Sequence, residues 1–404
     1  MPERPGVLVL MGSGETSPTM VEVHRSVVRP LGGRPRAVLL DTPYAFQENA
    51  ADISARARAY FARSVGLEVE VGEDVAGADW VFSGPGSPTY ALGRWTASQV
   101  AGDLRARVRA GDGVTVLASA AACTAGLATV PVYEIYKVGA EPGWREGLDL
   151  LGAIGLRAAV IPHYDNAEGG THDTRFCYLG ERRLSRMERE LPEDAAVLGI
   201  DEHTAVLLDL RAGTVRVAGR GGLTVRRRGA QRVLPAGSAT TLAGLRDLIA
   251  TGGAGHVRVA GSAAPEHREP PAVTLAESTA EYAGRFDAAL RARDTEAATR
   301  AVLDLETEIT KWAADTEEDE GGVEQSREVL RRLIVRLGRL ADAADPRERL
   351  APLVEPLLGL RTRMRERGAY ADADAVREAL AAGGVIVRDT PEGPTWAPAA
   401  PPRT

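Results

Sequence analysis

Three polar residues each follow a short apolar run: Ser119 ends "VTVLAS", His163 follows "AAVIP", and Glu202 follows "AAVLGID". A hydroxyl, an imidazole and a carboxylate in that order supply the nucleophile, the base and the orienting acid of acyl transfer. Ser119, on a strand-to-helix turn, presents its oxygen at a helix N-terminus, where partial positive charge favours an oxyanion. His163 takes the hydroxyl proton and returns it to a leaving amine, while Glu202 holds the imidazole. The amide of Ala120 and one from the turn "GPGS", at Gly84 or Gly86, form the predicted oxyanion hole. One such donor contributes about 3 kcal/mol to the transition state.

Each residue has a plainer role when taken alone. Ser119 is a helix N-cap, His163 a structural histidine, and "DEH" a solvated turn. Their shared placement after strand runs is what favours catalysis. Cys123 is a rival nucleophile, but it sits about one helical turn past the strand, where a thiol packs inside. Cys177, His172 and Asp173 lack a recognised ligand spacing, so neither metal nor cofactor is expected. "PVYEIYKVG" gathers Tyr133, Glu134, Tyr136 and Lys137 as a pocket wall, an oligomer surface or a packed loop.

The elements that must carry these residues alternate. From residue 6 to about 227, β-rich runs ("VLVLM", "RAVLLD", "LEVEV", "DWVFSG", "VTVLAS") are separated by amphipathic stretches such as Glu48 to Arg63 and Ser98 to Ala110. That alternation predicts an α/β fold, a doubly wound and mostly parallel sheet covered on both faces. Ligands bind beyond the carboxyl ends of such strands, so the triad, "GSGE" (Gly12 to Glu15) and "GPGSPTY" (Gly84 to Tyr90) are expected along one sheet edge. After His203, "TAVLLDLRAGTVRVAGRGGLTVRR" predicts a small antiparallel extension. The expected domains are 1–260 for the α/β part, a linker over 261–272, a helical bundle with a small β piece over 273–396, and a disordered tail over 397–404. "DTEEDEGGVEQ" is expected as an acidic loop within the bundle.

The motifs "LMGSGE", "GPGSPTYAL", the serine turn, "WREGLDLL", "IPHYDNAEGG", "GERRL" and "GIDEHTA" resemble the cyanophycinase and aspartyl dipeptidase (peptidase E) group. These are serine hydrolases on the class I glutamine-amidotransferase-like fold. The resemblance places Ser119, His163 and Glu202 on the family's triad and the "GPGS" glycines on its oxyanion turn. It implies cleavage of a peptide or isopeptide bond next to an acidic residue, in a small peptide-like substrate, with Arg175, Arg182 and Arg183 as candidates for a cationic pocket. The family's turn reads Gly-x-Ser-Ala-Gly, whereas here Leu117 and Ala121 stand at the glycine positions. The alternative is therefore a catalytically degenerate binding or scaffold protein of the same fold.

The stretch "RTRMRERGAYADADAVREALAAGGVIVRDTPEGPTW", with the helices before it from about Glu281, resembles the C-terminal anticodon-binding part of cysteinyl-tRNA synthetase. No HIGH or KMSKS sequence occurs, so synthetase activity is not expected. The resemblance makes tRNA a candidate partner, with Arg361, Arg363, Arg365, Arg367 and Trp396 as candidate contacts. Residues 271–404 carry 19 Lys plus Arg against 25 Asp plus Glu, a balance of −6. A footprint of that sign suits a protein partner or an assembly role, a homodimer included, at least as well as RNA. The whole chain, at −7 with two cysteines and no long apolar run, is expected in the cytoplasm without a membrane span.

Overall fold

The computed structural model describes residues 4–167, 172–252, 274–313, 322–342 and 346–399. The expected linker, most of the acidic loop and the tail from residue 400 lie outside these residues. One unit gathers the chain up to Ser278 with Thr307–Ser326, and the other gathers Thr279–Glu306 with the chain from Arg327.

In the first unit, strands β1 (Gly6–Met11), β2 (Ala37–Leu39), β3 (Val69–Val71), β4 (Trp80–Ser83) and β5 (Gly113–Ala118) run parallel in the spatial order β1-β5-β4-β2-β3. Their side chains alternate between two buried faces, which is why the runs read as nearly continuous apolar sequence. Val9, Met11, Leu39, Phe82 and Val116 face a core with α1 (Val21–Val28) and α2 (Ala50–Tyr60). Leu8, Leu10, Leu40, Val81 and Leu117 face another with α3 (Pro88–Thr96) and α4 (Val100–Ala110).

Beyond β5 the chain enters α5 (Ser119–Cys123), the short strand β6 (Ala128–Thr129), α6 (Val132–Tyr136) and β7 (Arg145–Glu146), which pairs with β6. Strands β8 (Ala158–Ile161) and β9 (Ala196–Ile200) flank α7 (Gly180–Glu188) and pair in parallel. The rest is antiparallel, as expected: β10 (Thr204–Asp209), β11 (Thr214–Gly219), β12 (Gly222–Arg227), β13 (Ala230–Pro235) and β14 (Ala239–Thr241), followed by α8 (Leu242–Thr251). Arg228 and Gly229, at φ 51° and 83°, form the two-residue turn between β12 and β13, matching the twist of a tight hairpin.

The triad candidates do not lie along the one expected sheet edge. The strands form two sheets, an eight-stranded one ordered β14-β11-β10-β1-β5-β4-β2-β3 and a four-stranded one ordered β13-β12-β9-β8. Ser119 follows a strand of the first, and His163 and Glu202 follow strands of the second, so the three do not share one sheet edge.

The helices of the second part are α9 (Leu275–Arg291), α10 (Thr295–Trp312), α11 (Gly322–Asp342), α12 (Pro346–Glu366) and α13 (Tyr370–Ala382), ending in the hairpin β15 (Val385–Thr390) and β16 (Gly393–Pro398). In the second unit Phe286, Ala298, Leu305 and Leu333 are buried. Ala298 is the buried member of its turn. Strand β16 carries the chain to Pro398, past the residue at which the tail was expected to begin. No described helix is long and apolar enough to cross a membrane.

Candidate active site

Parallel strand β5 delivers the chain to α5, and the turn between them is left-handed at Ser119, φ 46°. A non-glycine residue there is strained, and such strain persists where the surroundings over-determine it. The turn is tied down next door: the Ala121 amide donates to the Gly84 carbonyl at 3.2 Å. Leu117 and Ala121, at the family's glycine positions, are both fully buried in the core facing α3 and α4. Leucine at 117 thus fills a core position on the strand and leaves the left-handed residue free to be Ser119.

From that turn a chain of hydrogen bonds runs across both sheets. Ser119 Oγ lies 3.0 Å from His163 Nε2, and His163 Nδ1 lies 3.0 Å from Glu202 Oε1. Since the carboxylate can only accept, Nδ1 carries the proton in the neutral ring and Nε2 is then left to accept from the serine. His163 itself is at φ 47°. Its carbonyl accepts the Cys177 amide at 3.1 Å and the Asn166 amide at 3.3 Å, fixing the loop after β8.

The charges fit the pairing. Burial disfavours the charged imidazolium of His163. The hydrogen bond to Glu202, together with negative charge at Cys177, Glu202 and Glu15, outweighs burial and raises the imidazole from 6.5 to about 9. Burial alone lifts the Glu202 carboxyl, but the hydrogen bonds from His163 and Asn166 more than offset it and hold the group below the ordinary carboxylate range. Burial pushes the Cys123 thiol up, consistent with its 1% exposure. Cys123 packs in the core with Ala128, Ile161 and Cys177.

The glycine turn lies against the same elements. A side chain on Gly86, at φ 129°, meets the Pro43 carbonyl at 2.2 Å, and one on Gly84 meets the buried Glu15 carboxylate at 2.6 Å. Ser87 then caps α3 by accepting the Tyr90 amide at 3.2 Å. Ala120 provides the amide adjacent to the nucleophile, in the first turn of α5, where amides lack intrahelical partners. His203, next in the chain after Glu202, is buried, with Nδ1 2.9 Å from Thr19 Oγ1.

Of the candidate pocket arginines, Arg175 and Arg183 have partners of their own. Arg175 pairs with Asp173, Nε to Oδ1 at 2.8 Å, and lies 5.0 Å from the Phe176 ring. Arg183 donates to the Leu179 carbonyl at 3.2 Å, and Arg182 is exposed on α7. Arg226, which no motif singles out, is buried and donates to both Glu181 and Glu188. Asp165 and Asn166 are marked in the sequence only by their place in "IPHYDN". The Tyr136 ring lies 5.0 Å from Tyr178 in a tilted pair, and Glu134 accepts from Thr89 Oγ1 at 2.5 Å. Among the described residues no three His, Cys, Asp or Glu side chains gather where they could hold a metal ion.

In the second unit, burial corrects two of the candidate RNA contacts. Arg361 is 1% exposed and grips Asp389 with both Nη atoms, at 2.6 and 2.9 Å. Trp396 is 6% exposed and packs with Val354, Leu358, Leu380 and Val385, so its ring is closed to a base. Arg365 also reaches Asp389, at 2.8 Å, while Arg363 and Arg367 are exposed on α12 and just beyond it.

Residues 347–396 match the family described as the cysteinyl-tRNA ligase anticodon binding domain. A cysteine–tRNA ligase of Frankia casuarinae is 49% identical over 53 residues, 13% of this chain and 10% of that protein. One of Symbiobacterium thermophilum is 36% identical over 98 residues, 24% of this chain and 20% of that protein. The chain thus spans between a tenth and a fifth of the length of these relatives. Among solved structures, a peptidase from an acI-B1 Actinobacterium aligns with 59% of this chain and 97% of its own, at TM-score 0.47 and 18% identity. A putative peptidase E from Listeria monocytogenes EGD-e aligns with 53% of this chain and 98% of its own, at TM-score 0.37 and 14% identity.

Proposed function

We propose that the first unit is a serine hydrolase acting on an amide bond, with Ser119 as nucleophile, His163 as general base and Glu202 as orienting acid. The observation that carries this reading is the unbroken relay from Ser119 Oγ through His163 to Glu202, 3.0 Å at each step, set on a strained turn. Ser119 Oγ attacks the carbonyl carbon, its proton passes to His163 Nε2, and the imidazolium is stabilised by Glu202. The amides of Ala120 and of the Gly84–Gly86 turn are the proposed donors to the oxyanion, and the proton then goes to the leaving amine. Cleavage next to an acidic residue is the proposed specificity. A fluorophosphonate probe should label Ser119 and leave Ser119→Ala unlabelled. A folded wild-type protein that takes up no label would support the degenerate binding protein instead.

The region matching the anticodon-binding domain is proposed to bind tRNA and to direct the hydrolase to its site of action. Arg363 and Arg367, rather than Arg361 and Trp396, are the contacts to test. Filter binding of tRNA should weaken in Arg363→Ala/Arg367→Ala and with rising salt. Binding insensitive to both would point to a protein partner.

A further inference from the structure

The strongest feature beyond the triad lies one turn after the base. Asn166 is 1% exposed, and its Nδ2 lies 3.1 Å from Glu202 Oε1, the same oxygen that accepts from His163 Nδ1. A carboxylate offers only acceptors, so the amide must present its nitrogen here. The Asn166 backbone is held too: its amide donates to the His163 carbonyl, and its carbonyl accepts from Thr174 Oγ1 at 3.5 Å. The preceding residue grips the other end of the acid, since Asp165 Oδ1 accepts the Glu202 amide at 2.7 Å. Glu202 is therefore fixed at its backbone by Asp165 and at its carboxylate by Asn166.

We infer that Asn166 is a positioning residue that makes the relay a Ser-His-Glu-Asn tetrad. It fixes the rotamer of Glu202 so that Oε1 faces His163 and the carboxylate stays charged while the imidazole takes the serine proton. The inference rests on the hydrolase reading of Ser119. A charge-assisted donor of this kind supports the ionised acid directly, in line with the lowered Glu202 carboxyl. Without it, Glu202 is freer to turn away from Nδ1, and His163 loses the partner that fixes its tautomer.

The test compares rates of fluorophosphonate labelling at Ser119 across pH in the full chain. Asn166→Ala, which removes the donor, should label about ten- to a hundredfold more slowly than wild type. Asn166→Asp keeps shape and volume, and it separates positioning from packing. Its carboxyl can donate to Glu202 only while the two acids share a proton. Set against wild type at each pH, this variant should therefore keep pace on the acid side and fall behind as that proton leaves, so that the ratio of the two rates drops with rising pH. Thermal melting checks that both variants fold, and if Asn166→Ala does not, Asn166→Asp alone decides. Wild type that labels at Ser119, with an Asn166→Asp profile parallel to it, overturns the role of Asn166 while leaving the hydrolase standing. Absence of label in folded wild type overturns the hydrolase reading and this inference with it.

Discussion

At Ser119 the backbone turns left-handed between two alanines, and the cost of that turn is met by its neighbours: Ala121 bonded to Gly84, and His163 received at 3.0 Å. The imidazole bears the same kind of constraint, and its raised value of about 9 has a kinetic consequence. His163 must be neutral to accept the serine proton. Labelling of Ser119 should therefore climb through an alkaline limb centred near 9, above the ordinary histidine range, rather than level off near neutrality. Because the folded value exceeds the unfolded 6.5, the His163–Glu202 pair stabilises the fold fully below 6.5, and this contribution is lost as pH rises through 9. A rate profile that is flat above neutrality would contradict this account.

The elements that bring the triad together are turns more than strands. The turn after β4 is tight: Gly86, at φ 129°, has the Pro43 carbonyl 2.2 Å from where a side chain would begin. Gly86→Ala should lower stability by about 1–3 kcal/mol through backbone strain. It should also slow labelling, because the turn that carries the proposed oxyanion donors would shift away from α5. Thermal melting and labelling of the same sample separate the two effects, and a variant with unchanged rate would remove this turn from the oxyanion hole. Reading elements from sequence worked well where the period was regular. The amphipathic stretches became α2 and α4, and the alternating runs became β1 to β5. It failed where pairing is non-local, because nothing in "AAVIPH" or "AAVLGI" marks a strand for a second sheet rather than the first.

Across the whole first unit, His24 is one group that makes stability fall in acid. Its ring is fully buried among Tyr60, Phe61, Trp80 and Phe82, and its Nε2 donates to the Glu15 carbonyl at 2.6 Å. Burial lowers the group from 6.5 to about 4, against the smaller opposing effect of that hydrogen bond. The unfolded chain then binds the extra proton between those values. Stability present above 6.5 should thus fall as pH drops toward 4, by up to about 3 kcal/mol. Denaturant midpoints measured at pH 7 and 4.5 test this: the loss should be largest in wild type and reduced in His24→Phe, while equal losses in both would discount His24.

By itself the sequence determined the parallel strand pattern, the order Ser119, His163, Glu202 of the proposed triad along the chain, and the likeness of the last hundred or so residues to an anticodon-binding domain. Those properties are local: period, turn chemistry and motif are read along the chain. Only the tertiary structure decided that Ser119 meets His163 and Glu202 from a different sheet, that Leu117 is a core residue, and that Asn166 touches the triad acid. It alone also closed Arg361 and Trp396 into a core. Burial and three-dimensional proximity depend on which distant segments pack together, and residue type sets only which contacts would be favourable.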